Sequence, residues 1–132
     1  MTAGNDSAVV PPRLFVYGTL QPGRLRWPLL APFASGHRPA AVRGLLYDSG
    51  NGWPVAVLDP VGGEVPGVLV DLVADRLAEA LDLVDRIEGT VAGLLLRVVV
   101  TTVDGAPAWS YHWPGATTGM RRIERWDTAD ER

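Results

Sequence analysis

Glu88 is the candidate acid–base residue because it ends the most regular helical pattern in the chain. The carboxyl end of a helix carries the negative pole of the helix dipole, which disfavours an anion there. A carboxylate kept in that position and shielded from water would have a raised pKa, which suits a general base. The alternative interpretation is a solvated glutamate at a helix end, with no chemical role.

A sharp turn after the first predicted strand is the second candidate element. Residues 14–17 are typical of a short apolar strand, and Gly18 and Thr19 follow directly. Glycine adopts backbone angles that other residues avoid, so the chain can bend sharply at Gly18. Such a bend can aim the N–H groups near Gly18, Thr19 and Leu20 at one point, where they would bind a carboxylate or a developing oxyanion. An ordinary turn is the alternative.

The composition excludes several kinds of chemistry. The chain has 132 residues, 47% of them hydrophobic, which suits one domain with one core. Cysteine is absent, which excludes disulfides, thiol catalysis and cysteine metal sites. All 12 basic residues are arginine, which excludes a Schiff base on lysine. A net charge of −3 without a basic run favours neither nucleic acid nor a membrane as a partner.

Motifs for metals, nucleotides and serine nucleophiles are also missing from the sequence. His37 and His112 stand at unrelated spacings and are interpreted as ordinary loop and strand residues, so we expect no metal. No Gly-x-Gly-x-x-Gly, phosphate loop or Gly-x-Ser-x-Gly occurs, so we expect no cofactor. Residues 1–12 lack the features of a secretion signal, and no stretch approaches the ~20 apolar residues that span a bilayer. A cytoplasmic protein is the resulting expectation.

The elements that must position these residues indicate an α+β fold. One regular helix is predicted over residues 74–87, with Asp75 as its N-cap and Gly89 as its stop. A shorter helix is predicted within residues 25–33, followed by a loop over residues 34–39. Six strands are predicted, over residues 14–17, 40–47, 53–58, 65–73, 94–103 and 106–113. Strict alternation of strands and helices is absent, which argues against a doubly wound parallel sheet.

A single domain is predicted to span residues 13–115. Residues 1–12 form a loose lead-in that ends in two prolines. Residues 116–132 form a polar C-terminal tail, which either packs as a short helix or stays mobile. No internal repeat or linker divides the chain, and the oligomeric state is left open.

Two motifs together resemble the γ-glutamylcyclotransferase-like family, which includes the γ-glutamylamine cyclotransferases and the AIG2-like proteins. Residues 15–20, Phe-Val-Tyr-Gly-Thr-Leu, are similar to the N-terminal signature of that family. Residues 84–89, Val-Asp-Arg-Ile-Glu-Gly, are similar to its Leu-Asp-x-x-Glu-Gly pattern. Weaker similarities to the family pattern lie at residues 44–48, at 94–100 and at Ser110-Tyr111. The chain departs from the family at Leu95, where a tyrosine is common.

This resemblance implies a single α+β domain whose mixed β-sheet curls into a small barrel with one main helix. It implies the cyclisation of a γ-glutamyl amide to 5-oxoproline with release of a free amine, and no cofactor. In that reaction Glu88 is the catalytic acid/base, and the substrate's own α-amine is the nucleophile. The proposed substrate contacts are Tyr17, Gly18, Thr19, Leu20 and Tyr47.

Two other functions remain open at this point. A non-catalytic protein of the same fold would bind a small amino-acid-like ligand or a partner protein. Leu95 favours that interpretation, whereas the presence of Glu88 argues against it. An enzyme with the same chemistry acting on a specialised amide is the other alternative, since Leu95 and Trp53 favour a bulky, less polar leaving group.

Overall fold

The computed structural model describes residues 11–89 and 94–127, and it confirms a single small domain of the α+β class. The α-helices are α1 (Trp27–Leu30) and α2 (Leu77–Glu88), and 3-10 helices span Ala31–Phe33 and Ala74–Arg76. The strands are β1 (Arg13–Val16), β2 (Ala34–Arg43), β3 (Leu45–Asp48), β4 (Pro54–Val57), β5 (Glu64–Leu72), β6 (Leu96–Thr101), β7 (Pro107–His112) and β8 (Arg121–Ile123).

Within these described ranges, the strands pair into two sheets. A five-stranded sheet has the order β2-β5-β1-β7-β6, and a three-stranded sheet has the order β4-β3-β8. Strand β1 pairs antiparallel with β5 and parallel with β7, so the larger sheet is mixed, as predicted. The pairings seen in the described residues do not close either sheet into the small barrel that the resemblance implies.

Strand β1 is the centre of the larger sheet and is buried on both faces. Leu14 and Val16 belong to one buried cluster, whereas Phe15 and Tyr17 belong to another. This division follows from the strand itself, because successive side chains point to opposite faces. The apolar run that predicts a strand is therefore confirmed, and the turn after it starts from a strand whose last three residues are buried.

The predicted loop over residues 34–39 is wrong, because these residues form the first half of β2. Gly36 and Pro39 are poor strand formers, yet the segment pairs with β5 at every residue except Ser35, where the register shifts. Strand β2 lies at the edge of the sheet, where a proline such as Pro39 is tolerated. The predicted strand 40–47 is also divided at Gly44, where a Cβ would lie 2.6 Å from Val57 O.

Helix α2 begins three residues later than predicted and extends one residue further, to the glycine stop that the sequence predicts. Asp75 is not its N-cap, because residues Ala74–Arg76 form a 3-10 helix and Arg76 precedes α2 without a side-chain cap. Arg76 instead pairs with Glu79 at 3.2 Å, across the first turn. Gly89, with φ 78°, ends the helix in the left-handed conformation that glycine favours. Glu88 is therefore the last helical residue.

Residues 116–132 contain a strand where the sequence predicts either a short helix or a mobile tail. Arg121–Ile123 forms β8, which pairs antiparallel with β3. Trp126 follows and is only 1% exposed. Apolar residues spaced far apart in a polar segment gave no periodic signal, so the pairing with β3 could not be predicted. Among the described residues, no helix is long and apolar enough to cross a membrane.

Candidate active site

The turn after β1, the end of α2 and the start of β4 meet at one cleft. Its larger part has a volume of about 250 Å³, and a smaller part of about 20 Å³ adjoins it. Thr19, Trp53 and Glu88 line both parts. The larger part is also lined by Arg26, Ile87, Gly89, Leu94 and Leu95. The smaller part is also lined by Phe15, Val16, Tyr17, Gly18, Leu20, Pro54 and Tyr111.

Gly18 is needed here for a different reason from the one that the sequence suggests. Its φ is not among the positive values that other glycines of the chain adopt. A Cβ on Gly18 would instead lie 2.7 Å from Pro54 Cγ and 2.8 Å from Pro54 Cδ. Proline has a stiff ring that cannot move aside by rotation, so only glycine lets β4 approach the turn this closely.

The turn leaves three backbone donors available. Gly18 O accepts hydrogen bonds from the backbone N and from Nε2 of Gln21, at 3.1 and 3.2 Å. Within the part of the chain that the structure describes, the N–H groups of Gly18, Thr19 and Leu20 donate to no other residue. All three residues are buried. Buried N–H groups almost always have a partner, so these donors suit an anionic ligand in the cleft.

Glu88 lies at the junction of the two parts of the cleft and is half-buried. Ala80, Leu81 and Val84 pack the buried face of α2 into the core, which carries Glu88 to the cleft wall. Burial raises the pKa of Glu88 to about 7, and the nearby positive charge of Arg26 opposes this effect. A carboxyl group with this pKa can accept and return a proton near neutral pH.

Two tyrosines connect the cleft to the sheet. Tyr17 donates a hydrogen bond of 2.8 Å from its hydroxyl to Tyr111 O, and it lines the smaller part. Burial raises the pKa of Tyr17, and the negative charge of Glu88 raises it further. Tyr111 donates from its own hydroxyl to Asp85 Oδ1 at 2.7 Å. The last turn of α2 is thereby tied to β7, and through it to β1.

Tyr47 occupies a different place from the other predicted contacts. It lies on β3, opposite Val55 and Arg122, and packs against the core cluster that includes Leu20. The residues that line the two parts of the cleft do not include it. A role for Tyr47 in substrate binding therefore stays a prediction from the resemblance.

Sequence reasoning missed two residues of this site. Arg26 has no role in the sequence analysis, yet it lies in the cleft wall directly before α1. No local signal singles it out, because Arg24 stands two residues earlier and does not line the cleft. The sequence marks Tyr111 only as an aromatic residue on a late strand, because its contact with Asp85 spans 26 residues of sequence.

The histidines lie outside the cleft, and the described residues offer no group of three histidine or carboxylate side chains for a metal. His37 lies on β2 with its ring against Trp27 at 5.6 Å. His112 accepts a hydrogen bond at its Nδ1 from the backbone N–H of Leu58, at 3.1 Å.

Comparison with known proteins gives one family match. The family model described as "Gamma-glutamyl cyclotransferase, AIG2-like" matches residues 14–128. A protein of Halalkalibacterium halodurans, provisionally named a gamma-glutamylcyclotransferase, is 35% identical over 75 residues. That alignment covers 57% of this chain and 68% of the relative.

Solved structures share the fold at low sequence identity. An uncharacterised protein from Pyrococcus horikoshii superimposes with a TM-score of 0.59 at 24% identity, over 85% of each chain. A uropathogenic E. coli-specific protein superimposes with a TM-score of 0.62 at 18% identity, over 86% of this chain and 87% of that one. At these identities the similarity shows the fold alone.

Proposed function

This chain belongs to the gamma-glutamyl cyclotransferase, AIG2-like family, and we propose that it cyclises a γ-glutamyl amide to 5-oxoproline with release of a free amine. The observation that carries the proposal is the meeting of Glu88 with the turn of Gly18, Thr19 and Leu20 in one cleft. A base and a set of anion-binding donors are what this reaction requires, because the nucleophile belongs to the substrate.

Glu88 acts in this proposal as base and then as acid. It takes a proton from the α-ammonium group of the substrate, and the freed amine attacks the γ-carbonyl carbon. The tetrahedral intermediate collapses when the amide C–N bond breaks, and the proton on Glu88 passes to the departing amine. The attacking nitrogen gives its second proton to the carboxylate of Glu88 as the lactam forms, and this proton then leaves with the amine product as its ammonium form. The products are 5-oxoproline and the free amine, with no net change in the protein. A pKa of about 7 supports both steps near neutral pH.

The turn supplies the electrostatic part of the mechanism. The N–H groups of Gly18, Thr19 and Leu20 hold the substrate carboxylate or stabilise the oxyanion that forms from the γ-carbonyl. The cleft also folds the substrate so that amine and carbonyl meet, which converts binding energy into proximity. Tyr17 contributes its ring to the wall of the smaller part, since its hydroxyl hydrogen is already donated to Tyr111 O.

The test is release of 5-oxoproline from a panel of γ-glutamyl dipeptides, glutathione and γ-glutamylamines. We expect turnover by the wild type and at least a ~1,000-fold loss in Glu88→Gln, since the base and acid steps both fail. Glu79→Gln is the matched control, because Glu79 lies on the exposed face of the same helix. Turnover by Glu88→Gln at a rate near that of the wild type contradicts the mechanism.

A ligand-binding protein without activity is the second candidate function. Leu95 favours it, because this residue lies in the cleft wall at the place where the family commonly has a tyrosine. No 5-oxoproline from any compound, together with calorimetric binding of the same compounds to folded protein, would support this candidate over the enzyme.

A further inference from the structure

Arg26 brings a positive charge into the wall of the larger part of the cleft. Two contacts hold it against the turn after β1. Its backbone N–H donates to Thr19 O at 2.7 Å, and its Nη1 donates to Thr19 Oγ1 at 3.2 Å. The guanidinium therefore lies beside the N–H groups of the turn.

The guanidinium of Arg26 has no carboxylate partner in the described part of the chain. Seven ion pairs occur among those residues, and Arg26 takes part in none of them. Its bond to Thr19 Oγ1 uses one of the five N–H donors that a guanidinium carries. No carboxylate among the described residues occupies the remaining donors, which suit an anionic ligand.

The charge of Arg26 also weakens the proposed base in the empty cleft. Its positive field opposes the effect of burial and lowers the pKa of Glu88. This effect disappears when an anion binds to Arg26, because the anion offsets the charge. The arrangement is consistent with a substrate that carries its own carboxylate to this position.

We propose that Arg26 binds a carboxylate of the γ-glutamyl substrate, an inference that rests on the proposed function. A planar guanidinium binds a carboxylate through two parallel N–H···O bonds, which fixes orientation as well as charge. The bound substrate then offsets the charge beside Glu88 and makes that residue a better base. The N–H groups of the turn remain for the oxyanion.

A γ-glutamyl amide offers this carboxylate at two positions. The α-carboxylate of the glutamyl part is present in every such substrate. A second carboxylate is present when the leaving amine is an amino acid. Ile87, Leu94 and Leu95 line the same space as Arg26, so an aliphatic leaving group suits the test.

Three substrates with one aliphatic leaving group separate the two carboxylates. γ-Glutamyl-leucine carries both, and γ-glutamyl-3-methylbutylamine carries only the α-carboxylate. The α-carboxamide of γ-glutamyl-leucine carries only the carboxylate of the leaving amino acid. Release of the amine is measured for the wild type, Arg26→Gln, Arg26→Lys and Arg24→Gln. Arg24 provides the matched control because it lies two residues away and outside the cleft lining.

We expect Arg26→Gln to lower kcat/KM about tenfold or more for substrates that carry the contacted carboxylate. At a pH above the acidic limb of both enzymes, the substrate without that carboxylate should change less than about twofold, and Arg26→Lys should recover part of the loss. A loss confined to the two α-carboxylate substrates assigns Arg26 to the glutamyl part. A loss confined to the two leucine substrates assigns it to the leaving amino acid.

Other results overturn the inference in distinguishable ways. An equal loss on all three substrates indicates a structural role, and no loss indicates no role. Failure of the folded wild type to release amine from any of the three overturns the proposed function itself. If the wild type releases amine from all three substrates at the same rate and Arg26→Gln does so equally well, the proposed function stands. Only the role of Arg26 is then refuted.

The pH profile adds a readout that a structural role would not move. Tyr17 and Tyr111 also face Glu88, and burial raises the pKa of both phenols, so they stay protonated near neutral pH. The charge of Arg26 lowers the pKa of Glu88, so Arg26→Gln should raise that pKa. The acidic limb of the kcat/KM profile should therefore move toward higher pH. An unmoved limb in Arg26→Gln contradicts the inference.

Discussion

Tyr111 donates a hydrogen bond of 2.7 Å to Asp85, which stands three residues before Glu88 on α2. Arg97 lies 3.5 Å from the same Asp85 oxygen, with its guanidinium over the ring of Trp109. The last turn of α2 is therefore held by groups from β6 and β7, and not by core packing alone. Because Glu88 ends this turn, its position in the cleft depends on a bond between helix and sheet.

Tyr111→Phe should lower activity without unfolding the protein. The variant removes the hydroxyl that fixes Asp85 and leaves the ring in the core, so we expect a loss of unfolding free energy of ~1–2 kcal/mol. A misplaced Glu88 should lower kcat by about tenfold. Activity of Tyr111→Phe, Asp85→Asn and the double variant gives the coupling energy between the two residues. Strictly additive losses would show that the bond does not position Glu88.

The stability of the wild type should fall as the pH rises through the range in which Glu88 titrates. The folded pKa of about 7 lies above the ordinary value of 4.5, so the folded state binds more protons than the unfolded state between these values. The contribution of Glu88 to stability is therefore greatest below pH 4.5 and is lost as the pH rises to about 7. The loss amounts to about 3 kcal/mol at most.

Urea unfolding of the wild type and Glu88→Gln at several pH values measures this effect. The stability advantage of Glu88→Gln should grow between pH 4.5 and 7 and then stay constant. Glu79→Gln is the control with the opposite sign, since the hydrogen bond from Arg76 lowers the pKa of Glu79. Parallel pH profiles for the wild type and Glu88→Gln would contradict the raised pKa.

Gly18→Ala should disturb the turn through Pro54. A new Cβ would lie 2.7 Å from Pro54 Cγ, so either the turn or the start of β4 must move. We expect a loss of ~1–3 kcal/mol in stability and at least a tenfold loss of kcat/KM. Gly36→Ala is the matched control, because its Cβ would meet only Asp71 Oδ2, at 3.6 Å.

A second substitution separates the contact from other effects of the added methyl group. Pro54→Ala removes the Cγ and Cδ atoms that the new Cβ would meet, so Gly18→Ala/Pro54→Ala should recover part of the lost activity. Measurement of kcat/KM for both single variants and the double variant shows whether the contact with Pro54 causes the loss of activity. A double variant that is no better than Gly18→Ala would place the defect in the backbone of the turn itself.

Local signals in the sequence were sufficient for α2 and β1. The apolar spacing within α2 predicts the helix, because one buried face leaves a periodic pattern in the local sequence. Gly89 predicts the end of the helix, because the left-handed conformation that stops a helix is favoured by glycine. Strand β1 follows from its continuous apolar run. These two elements carry Glu88 and the turn, so the centre of the candidate site could be predicted from them.

Long-range pairing determines the parts that the sequence analysis missed. The segment 34–39 has weak strand propensity and becomes a strand only because β5 lies beside it. Arg26 enters the cleft through contacts with Thr19, and nothing in its own neighbours indicates this. The resemblance alone places Tyr47 at the substrate, and the cleft lining does not include that residue.

Trp126→Ala should destabilise the whole domain, although Trp126 lies in a polar C-terminal segment. Its side chain is 1% exposed, so the substitution leaves a large cavity and should cost about 3–5 kcal/mol of unfolding free energy. Val61→Ala is the control, since Val61 is 89% exposed. A chain that ends at residue 115 should lose more unfolding free energy than Trp126→Ala, because it also lacks β8 and leaves one edge of β3 unpaired. Denaturant unfolding of the three variants measures these losses. If the chain that ends at residue 115 is as stable as the full chain, the predicted domain 13–115 is sufficient for folding.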